Sequence, residues 1–309
     1  PKLARLCTDQ RGLNTQLPDV NYPLPNIKEL FQNLAHSKYF TKLDLKESFL
    51  QFPLKEEHRF KTAFSWNDKL YQFVGTPFGL KHISFIFQRV ISDILKKFPF
   101  ALCYIDDIVV FSNSVEEHVE HVKQVLQELT RYSLKLKIEK CSFCSEKISL
   151  LGHIISHAGI QIDSEKCMQA INWNRPETGN QMQSFLGLTN YFRDFIPNYA
   201  HITAPLDDLR KVDVISDELW TEQHETAFTN LKKSLLAAPI LSYPDYSKPF
   251  SIASDASNNG IGAMLFQEYD GTKKYVAFVS RSLSVSEKKY TTPKKELLAI
   301  VFAMKKFHP

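Results

Sequence analysis

The stretch CYIDDIVVF, from Cys103 to Phe111, sets two adjacent carboxylates inside a run that is otherwise apolar or aromatic. The flanking segments ALCYI and IVVFS predict two short strands, with Asp106 and Asp107 at the tip of the hairpin that joins them. Aspartate is common at turns because its side chain bonds to nearby backbone groups, so one interpretation is an ordinary turn. The other interpretation is a metal site.

A second strand that ends in a carboxylate favours the metal site. The segment SKYFTKLDL predicts a strand that ends near Asp44, and its nearest basic neighbour is Lys42. If this strand lies beside the hairpin, Asp44 faces Asp106 and Asp107 across a gap of about 5 Å. Three carboxylates at that spacing repel one another and are tolerated when divalent cations lie between them. Hard oxygen ligands favour Mg²⁺ or Mn²⁺, and two such ions about 3.5–4 Å apart suit in-line phosphoryl transfer.

Composition sets wide limits on the rest of the chain. Its 309 residues are enough for two or three domains, and 43% hydrophobic residues exclude an intrinsically disordered chain. The 38 basic and 34 acidic residues leave a net charge of +4, which permits a polyanionic partner without requiring one. Five scattered cysteines are too few for a disulfide framework and favour a reducing compartment.

The sequence carries no sign of a membrane segment. No apolar run reaches membrane-spanning length, and no signal peptide is visible, so no membrane contact is expected. The chain opens on Pro1 instead of Met and stops at Pro309 directly after a predicted helix. We therefore expect both ends to be cut from a longer protein.

Two helices and a strand pair are predicted in the first half. The segments ISFIFQRVISDILKK and NSVEEHVEHVKQVLQELTRY have helical periodicity, and Ser114 with Glu117 predicts a capping box at the start of the second. One apolar stripe of this second helix is expected to consist of Val115, Val119, Val122, Leu126 and Leu129. The segment KLKIEKCSFCSEKISLLGHIIS predicts a strand pair.

In the second half, the predicted secondary structure changes near residue 245. Residues 163–240 are expected to be mainly helical, with breaks at Pro176, Pro197 and Pro205. Beyond them SIASDAS, GIGAMLFQ and KYVAFVSRS predict three strands, and an Asp-Gly pair predicts the hairpin between the last two. The helix TPKKELLAIVFAMKKF follows. Its apolar residues on one side are Leu297, Ile300, Val301 and Met304.

Several motifs together resemble one family. YIDDIVVFS resembles the Tyr-x-Asp-Asp box of reverse transcriptases, and KYFTKLDLKESFLQFPL resembles their first catalytic motif. The family order also holds for RLCTDQRGLN, YPLPNI, KTAF, TPFGL, LLGHIIS, SFLGLTNYFRDFIPNYAHITAPL and DASNNGIGAMLFQ. The whole set resembles the Pol polyproteins of gypsy-type LTR retrotransposons and covers nearly the entire chain.

The resemblance implies an α+β fold with right-hand polymerase architecture. Residues 1–160 would form the fingers and palm of a reverse transcriptase that lacks its N-terminal part. Residues 161–244 would form thumb and connection helices, and residues 245–309 a truncated, partial RNase H-like α/β domain. The implied activity is RNA-directed DNA polymerisation, with two-metal nucleotidyl transfer onto a primer 3′-hydroxyl.

The resemblance also implies roles for individual palm and finger residues. Asp44, Asp106 and Asp107 match the catalytic carboxylates that hold two Mg²⁺ or Mn²⁺ ions, and the backbone carbonyl of Leu45 is a further expected ligand. The remaining matches concern the incoming nucleotide. Arg5 matches the triphosphate-binding arginine, Phe49 the aromatic steric gate against a 2′-hydroxyl, and Phe78 with Gly79 the lining of the nucleotide pocket. Without the family, Arg5 would be a solvated arginine and Phe49 a core aromatic.

Two further groups of residues match motifs of the second half. Gly152 and His153 fall at the primer grip, the hairpin that positions the primer end. Asp255 and Glu296 match the first two metal-binding acids of RNase H. The family takes two more aspartates from a later strand and helix, so no RNase H activity is expected from this chain.

One cysteine and histidine pattern is weighed against zinc. Cys141, Cys144, His153 and His157 spell C-x2-C-x8-H-x3-H. A zinc finger has about twelve residues in the middle gap, and this stretch predicts strands instead. We expect no zinc.

Departures from the family pattern support a second hypothesis. Glu47 and Ser48 replace the usual Ser and Gly after the first catalytic aspartate, and after TPFGL Ser84 replaces the usual Pro and Phe85 a small residue. A large ring there could overpack the nucleotide site. The alternative function is therefore a decayed or domesticated, non-catalytic nucleic-acid-binding relic. A purely structural protein is a third class, but it leaves the three aspartates unexplained.

The expected partners follow from the implied activity. They are an RNA or DNA template with its primer, dNTPs, and other Pol or Gag segments of the element. The expected location is intracellular, in cytoplasmic particles.

Overall fold

The computed structural model describes residues 6–20 and 23–308 and divides the chain into two units, Pro1–Ile148 and Ser149–Pro309. Arg5, the expected triphosphate ligand, lies outside the described residues. The predicted three-part division at residues 160 and 244 stays a prediction.

The first unit contains a four-stranded antiparallel sheet. Its strands are β1 (Tyr39–Asp44), β4 (Ala101–Tyr104), β5 (Asp107–Ser112) and β6 (Ser142–Ser145), and their order is β4–β5–β1–β6. A smaller hairpin consists of β2 (Phe64–Trp66) and β3 (Lys69–Tyr71). The predicted strand that ends at Asp44 and the predicted hairpin around the aspartate pair are both confirmed.

The first unit also contains helices. They are α1 (Arg11–Asn14), α2 (Ile27–Asn33), α3 (Glu56–Arg59), α4 (Ile83–Leu95) and α5 (Val115–Arg131). Of these, α4 contacts β4 and α5 contacts β1, β5 and β6. The two long predicted helices, α4 and α5, are confirmed. At the start of α5, Ser114 accepts a hydrogen bond from the Glu117 N–H as predicted. The Glu117 carboxylate accepts from Asn113 N–H, so the reciprocal bond of the capping box falls one residue earlier.

The predicted apolar stripe of α5 is wrong in its first turns. Val115 and Val119 are exposed, and His118 holds the buried position between them. Its two ring nitrogens lie 2.7 Å from the Thr41 hydroxyl and 2.8 Å from the Ser112 hydroxyl, on β1 and β5. These hydrogen bonds set the rotation of the helix, which hydrophobic periodicity alone did not anticipate.

The second unit begins within a three-stranded sheet. Its strands β7 (Lys147–Leu150), β8 (His153–Ser156) and β9 (Gly159–Ile162) lie in that order. The predicted strand pair in KLKIEKCSFCSEKISLLGHIIS is therefore wrong. The segment contains three strands, β6 to β8, and β6 and β7 belong to different sheets. A single apolar and polar alternation cannot show where a strand leaves one sheet and the chain enters another.

Helices α6 (Ser164–Ile171), α7 (Gly179–Tyr191), α8 (Tyr199–Asp207) and α9 (Glu222–Leu236) follow, as the composition predicts. Pro176 and Pro197 lie between helices, whereas Pro205 lies inside α8 and does not end it. The predicted break at Pro205 is therefore wrong: the proline lies in the last turn of α8, where it removes one backbone donor and leaves the preceding turns intact. Phe185 and Phe192 are buried in the core of this unit, and Tyr191 is exposed.

The chain closes with a three-stranded antiparallel sheet and two helices. The strands are β10 (Ser251–Ala256), β11 (Gly260–Tyr269) and β12 (Thr272–Ser282), and the helices are α10 (Val285–Lys288) and α11 (Thr292–Phe307). The Asp270-Gly271 turn between β11 and β12 is confirmed. The predicted apolar side of α11 faces outward, and its buried positions are Lys295, Ala299 and Ala303.

These elements confirm the α+β class. Within residues 6–20 and 23–308, no helix combines the length and apolar character that a membrane crossing requires.

Candidate active site

Asp44 and Asp107 are direct cross-strand partners. In the antiparallel pairing of β1 with β5, the last residue of β1 lies opposite the first residue of β5. Like charges directly opposite on neighbouring strands destabilise a sheet. The fold therefore places a repulsive pair at one end of the sheet.

Asp106 belongs to the turn that precedes Asp107. Tyr104 pairs with Asp107, which leaves Ile105 and Asp106 as the two central residues of the hairpin turn. Ile105 has a φ of 50°, in the left-handed region that β-branched residues avoid. Such a conformation costs about 1–3 kcal/mol and persists only where its surroundings enforce it.

Asp106 is half-buried, and one oxygen of its carboxyl group is inaccessible to solvent. Its Oδ1 is inaccessible and has no hydrogen-bond partner among the described residues. Burial raises the pKa of Asp106, the charges of Asp107 and Asp44 raise it further, and a hydrogen bond with Ser48 opposes both effects. An orphaned carboxylate oxygen among like charges is the kind of group that a cation stabilises.

Two lysines lie among these carboxylates. Lys42 Nζ is 3.0 Å from Asp107 Oδ1, and Lys140 Nζ is 3.5 Å from Asp44 Oδ2. Across the described part of the chain, no three His, Cys, Asp or Glu side chains converge in a metal-holding arrangement. Each lysine pairs with one of the three carboxylates, Lys42 with Asp107 and Lys140 with Asp44.

The segment around Lys140 was not expected at this site. The Lys137 N–H donates to the Asp44 carbonyl at 2.9 Å, and the Asp44 N–H donates to Cys141 Sγ at 3.4 Å. Cys141 thus contacts the backbone of Asp44. No local pattern could reveal these contacts, because about a hundred residues separate the two segments in the sequence.

The residues expected at the nucleotide pocket pack together. Phe49 is 7% exposed, and its ring centroid lies 5.3 Å from those of both Phe78 and Phe87. Phe49 is thus part of the core of the first unit, and its contact with a sugar stays a prediction. Gly79 has a φ of 94°, which explains the glycine, and its carbonyl accepts from the Asn14 side chain at 2.8 Å.

Gly152 and His153, the expected primer grip, differ in accessibility. Gly152 has a φ of 74° in the turn between β7 and β8. His153 is only 5% exposed, and its Nδ1 donates to the Leu151 carbonyl at 2.9 Å. Its ring lies against Tyr191, Phe192 and Phe195 and burial lowers its pKa. His153 supports the turn from within the core.

Asp255 and Glu296 lie on contacting elements, β10 and α11. Asp255 is exposed opposite Gly262 and lines a pocket of about 190 Å³ with Asn198 and His201. Glu296 is half-buried.

Comparison with known proteins places this geometry in a family. Residues 1–155 match the family model described as "Reverse transcriptase (RNA-dependent DNA polymerase)". Residues 220–309 match the one described as "RNase H-like domain found in reverse transcriptase".

Similar curated proteins are polyproteins of retrotransposons. The chain is 37% identical to the retrovirus-related Pol polyprotein from transposon opus of Drosophila melanogaster, with 98% of the chain and 31% of that protein aligned. It is 38% identical to the corresponding polyprotein from transposon gypsy of the same organism, with 98% and 30% aligned. The chain therefore spans less than a third of the length of these relatives.

Similar solved structures are foamy viral protease-reverse transcriptases. One, in complex with double-stranded DNA, has a TM-score of 0.88 and 26% identity. The alignment covers 99% of the present chain and 54% of the foamy viral chain. Another, in complex with an RNA/DNA hybrid, has a TM-score of 0.79 and 26% identity, and covers 96% and 40%. The chain belongs to the reverse transcriptases found in the Pol polyproteins of LTR retrotransposons.

Proposed function

We propose that this chain is an RNA-directed DNA polymerase that adds dNTPs to a primer 3′-hydroxyl on an RNA or DNA template. The observation that carries the proposal is the strand register, which sets Asp44 directly opposite Asp107 at one end of the sheet of the first unit, with Asp106 next to Asp107 in the turn. Two of these carboxylates are cross-strand partners, and the third has a buried oxygen without a hydrogen-bond partner in the described residues.

The donor set fits the divalent ions that reverse transcriptases generally use. Asp44 and Asp106 would hold two Mg²⁺ or Mn²⁺ ions, Asp107 would complete the carboxylate set, and the Leu45 carbonyl would add a backbone oxygen. When bound, such ions lower the pKa of the attacking hydroxyl and balance charge on the leaving pyrophosphate. No histidine or thiolate is needed, because hard cations prefer oxygen ligands.

Lys42 and Lys140 balance the carboxylate charge when no metal ion is bound. They contribute two positive charges beside three aspartates, and the Lys140 side chain is largely exposed and can move away. Metal binding requires Asp107 and Asp44 to exchange these lysines for the ions. The exchange would replace two positive charges by four, so the carboxylates, which would otherwise repel one another, have cations beside them in both states.

Nucleic acid is the proposed polymer partner. The similar foamy viral enzymes are in complexes with double-stranded DNA and an RNA/DNA hybrid, and we infer a primer–template duplex here. The dNTP site would lie beside Phe49, Phe78 and Gly79, with Arg5 on the triphosphate. In the second unit Gly152 and His153 would form the primer grip. Asp255 and Glu296 would be acids of an RNase H-like site.

A second candidate function is the non-catalytic relic. Ser84 and Phe85 begin helix α4, and both are half-buried. If the Phe85 ring blocks the nucleotide pocket, the chain binds nucleic acid without polymerising. The intact aspartate cluster favours the polymerase.

Primer extension on a poly(rA) template with Mg²⁺ tests the proposal. We expect extension by the wild-type chain and none by the Asp44→Asn and Asp107→Asn variants, because each variant loses a charge that balances the ions. Asp93, an exposed residue of α4, provides the matched control Asp93→Asn, which should extend normally. Extension by either active-site variant at the wild-type rate would contradict the metal assignment, and primer–template binding without extension by wild type would favour the relic.

A further inference from the structure

Strand β4 is an edge strand of its sheet, because in the order β4–β5–β1–β6 the described residues give it one strand partner, β5. Half of the backbone groups of an edge strand face away from the sheet and need other partners. Two backbone groups on this side are the carbonyl of Cys103, in β4, and the N–H of Ile105, the residue that follows β4. They flank the start of the turn that carries Asp106.

A single buried side chain, Gln88 of α4, binds both groups. Its Oε1 accepts from the Ile105 N–H at 2.5 Å, and its Nε2 donates to the Cys103 carbonyl at 3.1 Å. Nε2 also lies 3.0 Å from the Ser92 hydroxyl. Gln88 is fully buried. Its amide therefore takes the place that a peptide group of a neighbouring strand would occupy.

The position of this amide coincides with the strained residue. Ile105 holds a φ of 50°, and a β-branched residue leaves that region unless other contacts enforce it. The Gln88 bonds fix the backbone on both sides of Tyr104, directly before the turn. Release of Ile105 would let the turn relax and would displace Asp106 and Asp107, the next two residues.

We propose that Gln88 is a positioning residue that holds the strained Ile105 turn and thereby fixes Asp106 and Asp107 for divalent cations. The metal part of this inference rests on the proposed function, whereas the hold on the turn does not. A buried glutamine that only packs in the core and hydrogen-bonds there would support overall stability. Its loss would have no selective effect on the turn or on cation affinity.

Hydrogen exchange in the metal-free chain tests the hold on the turn. We expect the Ile105 amide to exchange at least about tenfold faster in the Gln88→Met variant, because the substitution keeps the volume and removes both bonds. The amides in the middle of β1 should keep their wild-type rates. The control Ser92→Ala removes a different partner of Gln88 and should leave Ile105 protected. Wild-type exchange at Ile105 in Gln88→Met, or equal acceleration throughout the sheet, would overturn the inference.

Mn²⁺ binding, followed by electron paramagnetic resonance, tests the consequence for the carboxylates. Gln88→Met should weaken Mn²⁺ binding about 10- to 100-fold, the usual effect of removing an outer support of metal ligands. In an Ile105→Gly background the same substitution should matter less than about threefold, because glycine adopts positive φ without strain. Equal effects in the two backgrounds would overturn the link through the strained turn.

The two experiments separate this inference from the proposed function. A wild-type chain that neither binds Mn²⁺ nor extends a primer would contradict the proposed function and the metal part of the inference together. The exchange rate of the Ile105 amide would still decide whether Gln88 holds the turn.

Discussion

Two hairpin turns of this chain have the same length and opposite character. The turn at Asp270 and Gly271 has φ values of 49° and 78°, and both residues tolerate positive φ. An added Cβ at Gly271 would meet nothing within 4 Å. The turn at Ile105 and Asp106 instead places a β-branched residue at positive φ and buries a carboxylate oxygen without a hydrogen-bond partner among the described residues.

The difference shows where this fold departs from the conformations that the residues of a turn prefer. The first of these turns joins two strands with residues that suit its backbone conformation. The second turn has an unfavourable backbone conformation and an unfavourably buried carboxylate oxygen. The contacts that surround the turn stabilise it in spite of both. Strain of this kind concentrates at functional sites, and here it lies beside the three aspartates.

The largest expected effect comes from the same substitution in both turns. Asp106→Asn should reduce primer extension by about 10³-fold or more, because it removes a charge that balances the metal ions. It should also raise the unfolding midpoint of the metal-free chain, because it removes a buried carboxylate with a raised pKa. The matched Asp270→Asn should change neither. Thermal unfolding and extension assays measure both effects, and loss of stability with retained extension in Asp106→Asn would contradict the distinction.

A smaller effect is expected from a β-branched residue in the relaxed turn. Gly271→Val should lower the free energy of unfolding by about 1–2 kcal/mol, because it forces a strained φ that nothing around it enforces. Extension by the folded enzyme should be unaffected. Urea unfolding measures the loss, with Gly271→Asn as the tolerated control. A neutral Gly271→Val would mean that strain in such turns is not costly in this chain, which would weaken the argument for Ile105.

The smallest expected effect concerns His118, which lies within hydrogen-bonding distance of strands β1 and β5. Burial lowers the pKa of His118 from its ordinary 6.5, nearby His121 lowers it further, and Glu117 opposes them. Because the unfolded chain then takes up the proton first, stability falls as pH drops through about 6.5 towards the lowered value. We expect a loss of up to about 1 kcal/mol between pH 7 and pH 5.5, measured by urea unfolding.

Two variants check the source of this acid sensitivity. His118→Asn should reduce the loss, whereas His58→Gln, at an exposed histidine, should leave it unchanged. The same pH dependence in His118→Asn and in wild type would assign the effect to another group.

Local sequence signals predicted the elements that depend on local chemistry. The Asp-Gly pair predicted the β11–β12 turn, periodicity predicted α4 and α5, and apolar strands that end in aspartate predicted the alignment of Asp44 with Asp107. The family resemblance supplied the roles of these residues, which the geometry alone does not assign.

The features that the sequence did not predict depend on contacts between segments that are far apart in the chain. Lys140 and Cys141 reach Asp44 from about a hundred residues away, and the division of β6 and β7 between two sheets leaves no periodic trace. Gln88 carried a weak signal, a polar residue on the apolar side of a helix, but its partners could not be deduced. The rotation of α5 about His118 was likewise set by hydrogen bonds to other strands.

We propose that Asp44, Asp106 and Asp107 form a divalent-cation site and that Lys42 and Lys140 occupy it when no cation is bound. Anomalous diffraction from crystals of the chain soaked in Mn²⁺ tests it most directly. We expect an anomalous peak within about 2.5 Å of Asp106 Oδ1, with Lys42 and Lys140 displaced from Asp107 and Asp44. A soaked crystal with no peak there, and with both lysines still on their aspartates, would contradict it.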